Sequence, residues 1–142
     1  MAKNEGKKLK PAKVGIKITR AVPVGAQLPC CDNSGAKVLN LFSVKRRSGV
    51  LNRLPSASIG DLLICSIRHG KPELKKKIFP CLIVRQRKFW KRNDGTSVFC
   101  EDNGACPLTP KGSSKGTTII GPITKEASLL WPNISTKASA VL

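Results

Sequence analysis

The chain of 142 residues (15.3 kDa) is sized for one domain with an appendage and leaves no room for a second full core. Leu, Ile, Val and Phe make up about 27% of it, enough for a real core, so the 26 Lys and Arg over 8 Asp and Glu (net +18) belong to a folded basic protein and point to a polyanionic partner. With no apolar run near the length of a membrane span and a basic start without a hydrophobic stretch behind it, the chain is expected to be neither secreted nor membrane-spanning.

Residues 1–13 are Lys-rich and aperiodic and are expected to form a basic tail that orders on its partner. Val14, Ile16 and Ile18 alternate with polar or small residues, the period of a half-buried strand, and a second strand follows Pro23. Asp32-Asn33-Ser34-Gly35 is a strong turn signal. Residues 36–44 read as a strand running into Lys45-Arg46-Arg47, followed by a loop with Gly49, Arg53 and Pro55. A buried strand is expected over 59–67, a basic loop over 68–77, and a strand over 78–87 that is apolar at first and basic at its end. Residues 89–99 predict a hairpin reversing at Asn93-Asp94-Gly95. Six or more short strands in so short a span indicate a small closed β-barrel rather than a βαβ fold. Residues 104–121, rich in Gly, Pro, Ser and Thr, read as loop or ribbon. A helix is expected over 124–131, after which Pro132 either ends it or opens a second short helix reaching toward Ala140. The expected organisation is a flexible tail (1–13), a β-barrel (14–103), and a ribbon or loop with short helices packed on the same domain (104–142).

Charge is concentrated in the first two thirds. Residues 1–20 carry a net +6, residues 44–92 hold fourteen basic groups for a net +12, and residues 93–142 are neutral, so two kinds of surface are expected to be met. Cys30, Cys31, Cys65, Cys81, Cys100 and Cys106 form no C-x₂-C pair, and the one histidine, His69, has no cysteine within three positions, which argues against a structural zinc. Cys65 and Cys81 sit in apolar runs, where a thiol acts as a small buried hydrophobe. No nucleophile elbow, zinc-protease or phosphate-loop motif is present, and eight scattered acids offer little for acid–base work, so no enzyme, no metal and no cofactor are expected. In the segment 85–92 five cations flank Phe89 and Trp90, a composition suited to RNA. For the two aromatics alone, packing on the barrel is the favoured reading. Four Phe, two Trp and no Tyr are too few for the stacking platform of a single-strand binder, and phosphate contact with structured RNA fits better. Lys45-Arg46-Arg47, Arg53 and the 68–77 loop would then reach out from the same end or face.

The runs Pro23-Val24-Gly25-Ala26, Asp32-Asn33-Ser34-Gly35-Ala36-Lys37, Leu51-Asn52-Arg53-Leu54-Pro55, Gly60-Asp61, Gly70-Lys71-Pro72-Glu73-Leu74, Val84-Arg85-Gln86-Arg87-Lys88, Asp94-Gly95, Glu101-Asp102-Asn103 and Gly121-Pro122 resemble the universal large-subunit ribosomal protein family numbered fourteen, in its eukaryotic cytosolic form. The resemblance covers about residues 15–140. It implies a five-stranded β-barrel with a projecting ribbon and short C-terminal helices. It also implies binding to large-subunit ribosomal RNA, contact with small-subunit RNA at an intersubunit bridge, neighbouring large-subunit proteins, and a C-terminal landing surface for an anti-association initiation factor. A cytoplasmic, ribosomal location with nucleolar passage during assembly follows from the same resemblance, and no membrane contact. Cys81, Cys100, Cys106-Pro107 and Pro110 depart from the family pattern. Because proline cannot donate to a ladder, the strand after Asn103 must be an edge or be shortened. On this reading the candidate phosphate contacts are Lys45, Arg46, Arg47, Arg53, Arg68, Lys71, Lys75, Lys76, Lys77, Arg85, Arg87, Lys88, Lys91 and Arg92, with Lys111 and Lys115 as bridge contacts. The competing reading is a free-standing oligonucleotide-binding β-barrel that regulates RNA, against which the neutral C-terminal third counts.

Overall fold

Buried side chains recur along one strand at Ala36, Leu39, Leu41 and Val44, while the run from Leu62 is apolar on both faces. In the computed structural model, which describes residues 18–45 and 49–142, these segments are β3 (Ala36–Val44) and β5 (Leu62–Gly70). They occupy the middle of an antiparallel five-stranded sheet ordered β2 (Gln27–Pro29), β3, β5, β6 (Ile78–Ile83), β9 (Ala105–Pro107). Short pairs join β1 (Val22–Pro23) to β4 (Ser56–Ala57), and β7 (Trp90–Lys91) to β8 (Ser97–Val98). The basic tail and nearly all of the strand expected over 14–18 lie outside the described residues.

The sheet is a curled half-barrel, not the closed barrel expected. Register shifts between β3 and β5 break the two-residue alternation of β3, and each such irregularity bends and twists the strand. Curling brings the edges β2 and β9 together at a single parallel bridge, Cys30 to Ala105, with Cys31 N–H donating to Ala105 O at 3.0 Å. A ladder cannot grow from it, because both edges are three residues long and end in proline, at Pro29 and Pro107. The edge position and short length expected for the strand after Asn103 are observed in β9. Likewise the ladder of β6 stops at Ile83 instead of reaching residue 87, since Val84 and Arg85 N–H both turn to Gly104 O.

Both faces of the sheet are covered, which is why β5 and β6 are apolar without alternation. Leu63, Cys65, Ile67, Cys81 and Ile83 face the concave core with Leu28, Leu39, Leu41 and Trp90. Leu62, Leu82, Val84 and Cys106 face a second core made with Ile119, Ile123, Trp131 and Ile134. The second core is built by the C-terminal segment, whose course differs from expectation. The residues read as loop end in β10 (Ile119–Ile123), which leads into α1 (Lys125–Leu130) and α2 (Pro132–Ser135) and then pairs in parallel with β11 (Ala138–Val141). Gly121-Pro122 masked β10, and the chain tolerates them there because the register shifts between Ile119 and Pro122 and Gly121 takes φ +80°. Thr124 caps α1 with its hydroxyl, Pro132 opens α2, and Trp131 Nε1 donates to Gly60 O at 3.0 Å, fixing the helices over the sheet. The second helix ends at Ser135 rather than near Ala140, because the chain beyond is taken into β11.

Candidate nucleic-acid interface

Antiparallel register decides where the basic residues go. Val44 pairs with Leu63 and Leu62 with Leu82, so the end of β3, the start of β5 and the end of β6 share one end of the sheet. From this first end depart Lys45, the 49–54 loop with Arg53, and the segment carrying Arg87, Lys88 and Lys91, all of them exposed. At the opposite end Ala36 pairs with Gly70 and Ser66 with Ile78. Here lie exposed Arg68, Lys71, Lys75, Lys76 and Lys77. A nine-residue strand such as β5 separates the two ends by roughly 27 Å. The cations therefore form two groups, not the single end or face expected. Arg46 and Arg47 lie outside the described residues.

The second group is held on a folded turn. Lys71 N–H donates to Gly35 O at 3.0 Å, Lys76 N–H to Ile67 O at 2.9 Å, and half-buried Leu74 packs against the concave core. Gly70, at φ +151°, has no room for a side chain, since a Cβ there would stand 2.7 Å from Gly35 O. The side chains of Lys71, Lys75, Lys76 and Lys77 project from the turn, with Glu73 exposed among them.

Lys111 and Lys115 join this second group. Cys81 pairs with Pro107, so the turn after β9 emerges beside the start of β6. Between β9 and β10 the pairing is limited to one bridge, Leu108 to Ser114. Lys111 is exposed, whereas Lys115 is half-buried with its Nζ 3.8 Å from the centre of the Phe79 ring. The Asp32–Gly35 turn clamps the far side. Buried Asp32 accepts from Ser34 Oγ (2.7 Å), Cys30 Sγ (2.9 Å) and Gly116 N–H (2.9 Å), and Asn33 accepts from Thr117 N–H at 2.9 Å. Lys137 donates to the carbonyls of Ser114 and Gly116. The sequence marked Asp32 and Asn33 as a turn and gave no sign of this second role.

Two of the sequence-derived cations are engaged inside the protein. Arg85 donates to both oxygens of Asp102 (2.7 and 2.9 Å), to Ile120 O, to Pro122 O and to Cys31 Sγ, which occupies all five N–H groups of its fork. Arg92 donates to both oxygens of Glu126 and to Leu142 O. Glu126 also accepts from Trp90 Nε1 at 3.0 Å, so the inner side of the β7–β8 hairpin is locked onto α1. The hairpin reverses as expected, with Asp94 accepting from Thr96 N–H and Oγ1 and Gly95 at φ +84°. Trp90 packs in the core as expected, but Phe89 does not and is exposed.

Burial pushes the Glu126 carboxyl up, but the bonds from Arg92 and Trp90 outweigh it and hold the group below the ordinary 4.5. A carboxyl depressed on folding contributes stability above its unfolded value, and that stability is lost as pH falls through the lower folded value. Glu126→Gln should therefore be less stable than the parent at neutral pH and lose less on acidification below about pH 4. Urea unfolding at several pH values checks this; parallel acid profiles would refute it.

The six cysteines are free thiols, five of them buried. Burial raises Cys30 and Cys31 to about 12, so both stay protonated, Cys30 with an added contribution from its bond to Asp32. Among the described residues no group of three or more His, Cys, Asp or Glu is placed to hold a metal ion, and no helix is long and apolar enough to cross a membrane.

A model of the family described as ribosomal protein L14p/L23e matches residues 21–142. The large ribosomal subunit protein uL14 of Methanococcus vannielii is 46% identical over 128 residues, covering 90% of this chain and 97% of that protein. uL14 of Dictyostelium discoideum is 48% identical over 126 residues (89% and 92%), and uL14A of Saccharomyces cerevisiae 44% over 127 (89% and 93%).

Proposed function

Since the chain belongs to the ribosomal protein L14p/L23e family, and so is a structural protein of the large ribosomal subunit and not an enzyme, we propose that it anchors by phosphate contacts from both ends of its sheet to large-subunit ribosomal RNA. The observation that carries this reading is the division of charge. Residues 44–92 hold a net +12, largely on exposed side chains, while residues 93–142 are neutral and build the second core. The anchoring set is Lys45, Arg53, Arg87, Lys88 and Lys91 at one end and Arg68, Lys71, Lys75, Lys76 and Lys77 at the other. Arg85 and Arg92 act as internal struts that hold the hairpin and the C-terminal segment in place. The turn with Lys111 meets small-subunit RNA at a bridge. The neutral C-terminal surface, with Leu129, Val141 and Leu142 exposed, receives an anti-association factor. Location on cytoplasmic ribosomes, beside neighbouring large-subunit proteins, goes with these roles, as does passage through the nucleolus during assembly.

Salt dependence tests the anchoring. Each phosphate contact contributes about −0.7 to −0.9 to the slope of log affinity against log salt. Replacing Arg87, Lys88 and Lys91 together with Ala should flatten the slope for large-subunit ribosomal RNA by about two to three units. Arg85→Ala, measured under conditions where it remains folded, should leave the slope unchanged. An unaltered slope in the triple variant would mean that this end of the sheet does not meet phosphate.

A further inference from the structure

We propose that the outward face of the β7–β8 hairpin, flanked by exposed Phe89 and Phe99, is a stacking platform for an unpaired nucleobase of RNA. The proposal rests on the RNA-anchoring reading above and names a site and a ligand class within it. Trp90 pairs with Val98 and Lys91 with Ser97, and Phe89 and Phe99 are the residues that directly flank this pair on its two strands. Side chains alternate across a strand pair. With Trp90 buried and Val98 half-buried on the inner face, the two phenyl rings fall on the other one, and they are 51% and 66% exposed. Cross-strand neighbours on one face stand about 5 Å apart, so residues flanking the pair on this face are near enough to meet one base.

Three features make this face a site for a base. It is rigidly backed: Gln86 Nε2 donates to Lys88 O and Thr19 O (both 3.0 Å), Cys100 N–H to Gln86 O, and Arg87 N–H to Asn103 Oδ1. The Glu126 lock on Trp90 and Arg92 holds the other side. It is also ringed by cations, with Arg87, Lys88 and Lys91 exposed around it and Lys88 Nζ 4.9 Å from the Phe89 ring centre. Of the nearby acids, Asp94 is turned onto Thr96, Asp102 is held by Arg85, and Glu101 alone is exposed without such a bond among those described, so the local field favours an anion. Finally, aromatic faces bind bases splayed out of loops and bulges, while the adjacent ammonium and guanidinium groups meet the flanking phosphates. Counting aromatics in the sequence argued against such a platform because a count ignores placement; two of the four phenylalanines are exposed beside this one hairpin.

The test uses the full chain and two RNA probes, a short single-stranded oligoadenylate carrying one 2-aminopurine and a duplex without unpaired bases. Stacking is worth roughly 1–3 kcal/mol per base, so Phe89→Leu and Phe99→Leu should each weaken oligoadenylate binding about tenfold and abolish the fluorescence quench, while duplex affinity and its salt slope stay put. Phe89→Tyr, which keeps a π-face, should behave like the parent. Undiminished oligoadenylate binding in both Leu variants overturns the platform, as does an equal loss on the duplex. If instead RNA binding is untouched and the Leu variants lose a neighbouring large-subunit protein, the face is a protein contact and the proposal fails. Failure of phosphate anchoring would show separately, as an unchanged duplex slope in the Arg87, Lys88 and Lys91 variant.

Discussion

Arg85→Ala should lower the unfolding free energy by about 3 kcal/mol, the largest stability loss expected of any surface-proximal cation in this chain. Its side chain is 13% exposed and joins three segments: the end of β6, the 101–104 loop through Asp102, and β10 through the carbonyls of Ile120 and Pro122. The ion pair itself is a modest part of the loss, because Asp102 is 39% exposed and solvent screens it. More comes from the part-buried bond to Pro122 O and from the packing of the enclosed side chain, the bond to Ile120 O being exposed and worth less. Gly104 and Gly121 show how tightly the guanidinium is enclosed, since a Cβ on either would stand about 3 Å from it. Lysine should not rescue, having no planar fork to reach the carboxylate and both carbonyls together. Arg87→Ala, two residues along but exposed, should change stability by less than about 0.5 kcal/mol. Urea titration followed by the fluorescence of Trp90 and Trp131, one in each core, decides it. Equal stability of the two variants would end the strut assignment.

Lys111→Glu should impair joining of the two ribosomal subunits on the order of tenfold at low salt while leaving incorporation of the protein into large subunits intact. Lys111 sits exposed on the turn after β9 with no bond that would draw it inward among those described, and reversal places a carboxylate where phosphates would approach. Screening shortens the reach of that repulsion from about 10 Å at 0.1 M salt to about 3 Å at 1 M, so the defect should shrink as salt rises. Lys115→Glu is expected to act differently. Its ammonium rests on the Phe79 ring, and a carboxylate there is repelled by the π-face, so the turn should loosen and some stability be lost. Light scattering of purified subunits, with occupancy measured on sucrose gradients, separates the two. Normal joining with Lys111→Glu sinks the bridge assignment; absence of the variant from large subunits would place this turn in the anchoring surface.

Locally encoded features were read correctly from the chain. The Asn93-Asp94-Gly95 reversal, the helix beginning near Thr124, the apolar runs of β3 and β5 and the edge position of β9 each depend on a few adjacent residues whose backbone chemistry admits little else. The net charge and its absence from the last fifty residues were equally visible, being sums over side chains that stay charged wherever they are placed. Barrel closure was not legible, because it turns on whether two edges far apart in sequence can zip, and Pro29 and Pro107 matter only once β2 and β9 are known to be those edges. β10 and β11 were missed for the same reason: a glycine-proline pair and a run of small residues become strands only by pairing with each other.

Composition and period survive any arrangement of the strands, and they are enough to mark a small basic β-rich domain with a polyanionic partner. Which cations are free to meet that partner depends on how the chain is folded. Arg85 and Arg87 are two residues apart and chemically the same, yet one is enclosed by Asp102 and two carbonyls and the other faces water. Phe89 and Trp90 are adjacent, and the alternation of a strand sends one outward and the other into the core. The difference arises from long-range pairing and packing, which satisfy some charged and aromatic groups internally and leave others at the surface.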